Sequence, residues 1–288
     1  MYKLLFSLLI TLSLFGTVSG QNKEAKKKKK SKKTLSADPD AKLQSPHDIA
    51  FDEKSGLFFI SSSGNHGIIK RGRRGGAVFV TKDLVHPRGV TILNSILYVA
   101  DSNRVKGFNI KDNEEVFNVE VAGAQALHAI TCNGNILYIS DKEASKVFSV
   151  NVRSEEVEVI TTDVPSPTGV YYDKKSKDIL ILSSLESAGG VYAYSPKDKA
   201  VELKLQVMDF PYLEDITFNG SMSYYLTAWG ADHKENVIIK INSSLSREPR
   251  IIQSSSDGPS GMIYIKRTNE LAIASEYANN LNIIKLGY

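Results

Sequence analysis

The chain is poor in the residues that usually announce chemistry. Among its 288 residues there is one cysteine, Cys132, and one tryptophan, Trp229. A lone cysteine excludes a disulfide framework. It closes a strand-like run, "AITCNGN", where a buried, inert thiol is the simple reading. The sequence has no G-x-S-x-G elbow, and "GRRGG" at 72–76 is not a P-loop because no Gly-Lys-Ser/Thr ends it. Long apolar runs are absent after the first twenty residues, so no later segment is a transmembrane candidate. Sustained helical periodicity is missing too, which leaves strands to build the fold.

The first residues are compositionally distinct. "MYKLLFSLLITLSLFGTVSG" has an early lysine, an apolar stretch of about a dozen residues and a small-residue end, the pattern of a secretory signal peptide cleaved before Gln21. Secreted or periplasmic localisation is the expectation. Residues 21–42 follow as a lysine-rich, disordered leash. Residues 1–33 hold nine Lys and one Glu, a net +8, so the chain's +4 leaves about −4 on residues 34–288. The run Lys26 to Lys33 is either a solvated spacer or a tether to an anionic surface. The remainder shows no basic patch with interleaved aromatics, so no nucleic-acid specificity is expected. Two N-glycosylation sequons begin at Asn219 and Asn242.

From about Leu43 the sequence repeats itself. A short strand after a turn recurs as "PHDIAFD", "PRGVTIL", "LHAITCN", "PTGVYYD", "LEDITFN" and "PSGMIYI". Equivalent positions Asp48, Gly89, Ala129, Gly169, Asp215 and Gly261 are 41, 40, 40, 46 and 46 residues apart. Each is followed by an apolar run such as "LYVADSN" or "LYISDKE", and then by a third strand such as "GIIKR". A period of 40 to 50 residues with several strands per unit signals a β-propeller. Residues 43–288 therefore read as one all-β domain, a six-bladed propeller of four-stranded antiparallel blades. The last unit stops after its third strand, so closure is expected from an N-terminal strand within Thr34 to Leu43, which would cover a sheet edge. Asp101 and Asp141 share one repeat position with Ser61, Ser183, Ala228 and Ser275, and read as turn chemistry.

In such a ring, the residue before each inner strand faces the channel mouth. Those residues are His47, Arg88, His128, Thr168, Glu214 and Ser260, with Asp48 and Asp215 beside two of them. They form the one chemical constellation that the repeats yield. Trp229 and His233 lie in the longer fifth unit, where longer loops carry specificity in propellers. Packing at a blade end is the simpler role for Trp229.

"LYVADSNRVKGFNI" and "LYISDKEASKVFSV", preceded by the "PRGV" and "PTGV" turns, resemble NHL repeats. The pattern over residues 43–288 is also similar to six-bladed propellers of the gluconolactonase (regucalcin-like) and paraoxonase superfamily. WD-repeat signatures are absent. The resemblance implies a divalent metal at the channel mouth, commonly calcium, held by a Glu from an early blade and Asn or Asp from later ones. It also implies lactone or ester hydrolysis. At the matching positions this chain has His47, His128, Thr168 and Ser260, and only Glu214 and Asp215 look like the family's ligands. That is a poor calcium cage. His47, His128 and Glu214 would suit zinc, with His128 and Glu214 as the candidate catalytic pair and His47, Glu214 and Asp215 as candidate metal ligands.

Two readings follow. In one, a monomeric exported propeller binds a small molecule, glycan or protein at its channel mouth and long loops. In the other, it is a metal-dependent lactonase or esterase with a variant site. The mismatched ligand positions favour binding, and the family resemblance favours hydrolysis.

Overall fold

A computed structural model describes residues 37–231, 235–255 and 257–287. The leader, the lysine run and His233 lie outside the described residues. The chain forms a six-bladed β-propeller, each blade an antiparallel sheet whose strands follow chain order. Blade 1 is β1 (Pro46–Asp52), β2 (Leu57–Ser62), β3 (Gly67–Gly72) and β4 (Gly75–Thr81). Blade 2 is β5 (Pro87–Leu93), β6 (Ile96–Asp101), β7 (Arg104–Asn109) and β8 (Glu115–Glu120). Blade 3 is β9 (Leu127–Asn133), β10 (Ile136–Asp141), β11 (Lys146–Asn151) and β12 (Val157–Thr161). Blade 4 is β13 (Pro167–Tyr172), β14 (Ile179–Ser183), β15 (Gly189–Ser195) and β16 (Ala200–Val207). Blade 5 is β17 (Tyr212–Phe218), β18 (Ser223–Trp229), β19 (Asn236–Asn242) and β20 (Arg250–Ser255). Blade 6 is β21 (Pro259–Ile265), β22 (Glu270–Ser275) and β23 (Asn280–Lys285).

The second strand of every blade is the most apolar and nearly all buried, because blades cover both its faces. The core accordingly lies between neighbouring blades, as in the cluster joining Leu180, Leu182 and Val191 of blade 4 to Leu226, Val237 and Ile239 of blade 5. Four of the six inner strands open on proline, Pro46, Pro87, Pro167 and Pro259, a position where a missing N–H costs no ladder bond.

The shared polar position behaves as turn chemistry. Asp101 accepts the N–H groups of Val85 and His86, and Asp141 those of Gln125, Ala126 and Ala144. Each pins the loop entering its blade. Pairing places Ser62, rather than Ser61, at this position in blade 1, because Pro46 pairs with Ser62 as Pro87 does with Asp101.

Over residues 37–43 closure differs from the expectation, and Thr34, Leu35 and Ser36 lie outside the described residues. The sixth sheet has three strands among the described residues, and residues 37–43 form turn and coil rather than a strand. The cause is local. Asp38 Oδ1 accepts the Asp40 N–H and the Asp38 carbonyl that of Ala41, so the chain turns. Pro39 has no N–H to give a ladder. The segment instead closes the ring with side chains: Ala41 and Leu43 are buried with Ile49, Phe58, Ile265 and Ala272, against Leu281. An Arg73–Glu270 ion pair and the bond from the Ser45 N–H to Asn279 Oδ1 span the same seam.

Candidate functional site

One irregularity recurs in every blade and builds the channel mouth. The pairing of each inner strand with its neighbour skips at the ring position. Pro46 pairs with Ser62 and the next pair is Ile49 with Ile60, so His47 and Asp48 face Ser61 alone. Similar shifts bracket Arg88–Gly89, His128–Ala129, Thr168–Gly169, Glu214 and Ser260–Gly261. These are β-bulges, which twist a strand and re-aim a side chain.

The bulges alternate around the ring. In blades 1, 3 and 5 the N–H freed by the bulge, that of Asp48, Ala129 or Asp215, donates to a hydroxyl on the second strand, Ser61, Ser140 or Thr227. The Ser140 and Thr227 hydroxyls in turn donate to the carbonyls of Thr168 and Ser260 on the following blades. In blades 2, 4 and 6 the matching residues are Gly89, Gly169 and Gly261, pressed against neighbouring backbone. A Cβ on Gly261 would lie 2.3 Å from Asp48 Oδ1, and one on Gly169 2.8 Å from the Asp215 Cα. The inner strands can meet only because these positions lack a side chain.

Alternation brings three ring residues together; Thr168 and Ser260 turn to neighbouring blades, while Arg88 stays close enough for its charge to act on all three. His47, His128 and Glu214, from blades 1, 3 and 5, place their ligand atoms within 4.8 Å of one another. The two imidazoles meet edge-on at 4.9 Å, and His128 Nε2 stands 3.5 Å from Glu214 Oε2. Thr168 and Ser260 are buried, and their hydroxyls donate to the carbonyls of Leu213 and His47. They stitch blades rather than face a ligand. Asp215, expected as a ligand, stands outside the three-residue set: its Oδ2 accepts the Met262 N–H at 2.6 Å. Arg88 lies near His86, 3.4 Å between Nη2 and Nε2, and its buried Nε has no partner.

Electrostatics favour the uncharged imidazoles. Burial, and then the charges of His128 and Arg88, push His47 well below the ordinary histidine range. Burial also lowers His128, although the Glu214 hydrogen bond opposes it. Burial raises Glu214, but the His128 hydrogen bond and the nearby His128, Lys142 and Arg88 charges outweigh it, and its carboxyl titrates low. Burial thus favours the uncharged form of both imidazoles, and the neighbouring cations favour the carboxylate form of Glu214. His47 Nδ1 and His128 Nδ1 are both buried with no hydrogen-bond partner. The space beside them, also lined by Asp48 and Asp215, admits the centre of a water-sized sphere over about 10 Å³, the scale of one water or ion.

This donor set fits zinc better than calcium. Calcium takes six to eight oxygens, and the cluster offers one carboxylate. Imidazole and carboxylate are ordinary zinc ligands at about 2.0–2.2 Å, and the three ligand atoms lie within 4.8 Å of one another.

Elsewhere, Trp229 packs at the blade end, its ring 5.2 Å from that of Tyr277 and its Nε1 donating to the Pro259 carbonyl. Burial raises the Cys132 thiol, consistent with an inert side chain.

No family model and no curated protein matches the sequence. Solved structures share the fold. A gluconolactonase from Xanthomonas campestris aligns with TM-score 0.68 at 10% identity, over 86% of this chain and 88% of its own. Hydrazine synthase of Kuenenia stuttgartiensis gives 0.66 at 15%, over 84% and 77%. Virginiamycin B lyase from Staphylococcus aureus gives 0.64 at 16%, over 87% and 82%. At such identities the likeness establishes the propeller fold and nothing finer.

Proposed function

We propose that this is an exported propeller that binds a zinc-type divalent ion at its channel mouth through His47, His128 and Glu214. In this reading the ion's remaining coordination position holds an oxygen-donor ligand. The observation that carries it is the convergence of two imidazoles and a carboxylate, with both Nδ1 atoms buried and unpartnered. An unpaired buried acceptor is costly, and a metal ion would relieve that cost. A bound ion would also polarise a ligand's carbonyl oxygen. The open position of a three-ligand site favours a second reading on the same residues, lactone or ester hydrolysis. Export rests on the leader-like first twenty residues.

Elemental mass spectrometry of the dialysed protein tests the proposal. About one zinc per chain is expected, lost in His128→Ala and Glu214→Gln while the circular dichroism melt persists. A protein that takes up no zinc in calorimetry would overturn it. A lactone and ester screen separates the readings: turnover abolished by chelator means hydrolysis, and metal-dependent ligand binding without turnover means capture.

A further inference from the structure

Blade 6 differs from the others. Five sheets have a fourth strand, and the sixth ends at β23 among the described residues. The third strands β3, β7, β11, β15 and β19 are each mostly buried or half-buried, with at most one exposed residue. In β23 no residue is buried, two are exposed, and Ile283 is 37% exposed. The edge carries little protection beyond Lys285 at its end. It pairs with β22 in unbroken register from Glu270–Lys285 to Ser275–Asn280, without a bulge, and it contains no proline. Such an edge is a template for another strand.

A cleft of about 470 Å³ adjoins this edge, between Asn279–Asn280 and the β3–β4 ladder of blade 1. Its charged lining residues are Lys42 and Arg71, with no carboxylate. Two of its polar atoms, Arg71 Nε and Asn280 Oδ1, are buried without a partner. A cationic donor and an amide acceptor left unpaired at the head of an open edge suit a segment carrying both backbone groups and a carboxylate. The charged lining of the cleft is cationic, so a second copy meeting it through its own edge and cleft would set Lys42 and Arg71 against their equivalents, which makes it a poorer fit than an acidic peptide.

We infer that the β23 edge and the Arg71 cleft form a docking site for an extended acidic peptide of a partner protein, which adds as the fourth strand of blade 6. Main-chain hydrogen bonds would supply affinity, and a carboxylate on Arg71 would supply selectivity.

The chain itself provides a probe, because β8 is an acidic fourth strand, "EVFNVE". Fluorescence anisotropy with a labelled EVFNVE peptide and the full-length protein should show saturable binding. KVFNVK and the Arg71→Ala variant should each weaken it by about tenfold, the scale of one charged hydrogen bond. Hydrogen exchange should slow with peptide at 280–285, while β22 exchange stays unchanged and certifies the variant's fold. The inference would be overturned by no binding at millimolar peptide, binding indifferent to Arg71→Ala, a footprint away from β23, or β23 amides already as protected as those of β3 without peptide. Protection that grows with protein concentration alone would make a second copy the occupant, and would equally overturn it.

Discussion

Asp48 stands beside a metal-ligand candidate and has a different task. Its Oδ1 accepts the Ile49 N–H and its Oδ2 the Val90 N–H of the next blade, so one carboxyl ties blade 1 to blade 2. Burial pushes it up from 3.8 to about 7, and burial with the nearby Asp48 charge raises Asp215 as well. A carboxyl raised on folding favours the fold most when protonated. Its contribution is complete below the unfolded value and is lost as pH rises through the folded one. Urea denaturation in chelator should therefore show wild type losing stability relative to Asp48→Asn between about pH 4 and pH 8. A difference independent of pH would mean that Asp48 stays ionised. The sequence placed this aspartate on the ring, but nothing in it separates a carboxylate facing the channel from one holding a neighbour's amide.

At the scale of the element, the bulge decides which side chains reach the centre. Its signal was present in the sequence, in the alternation of Asp48, Ala129 and Asp215 with Gly89, Gly169 and Gly261. The matching alternation of Ser61, Ser140 and Thr227 with Ala100, Leu182 and Ala274 on the second strands is visible only once register is known. Gly261→Ala is expected to cost about 1–3 kcal/mol, because the new Cβ would meet the Asp48 backbone as well as its carboxylate. A thermal melt would check this, and an unchanged Tm would show that blades 1 and 6 can separate freely.

For the whole molecule, the seam between blades 1 and 6 joins the two ends of the ring, and among the described residues no strand from the N-terminal side enters the sheet of blade 6. Inner strand β1 lies against β21 and β22, Ser260 donates to the His47 carbonyl, and Leu43 fills the gap beneath. Leu43→Ala should cost about 2–3 kcal/mol by leaving a cavity. Hydrogen exchange should accelerate in β1 and β21 before it does in β9 or β13. Uniform acceleration around the ring would mean that the seam is no weaker than the other blade contacts.

The repeat period, the strand-forming runs and the turn residues by themselves determined a six-bladed ring and the six positions at its mouth. Those signals are local and recur, so each blade states them again. Tertiary structure alone decided which of the six residues act together. His47, His128 and Glu214 lie 81 and 86 residues apart in the chain, and they converge because alternate bulges turn them inward while glycines let the blades between them close. It also decided that residues 37–43 close the ring through Ala41 and Leu43 rather than as a strand, because an aspartate-proline turn removes the pairing that a fourth strand requires.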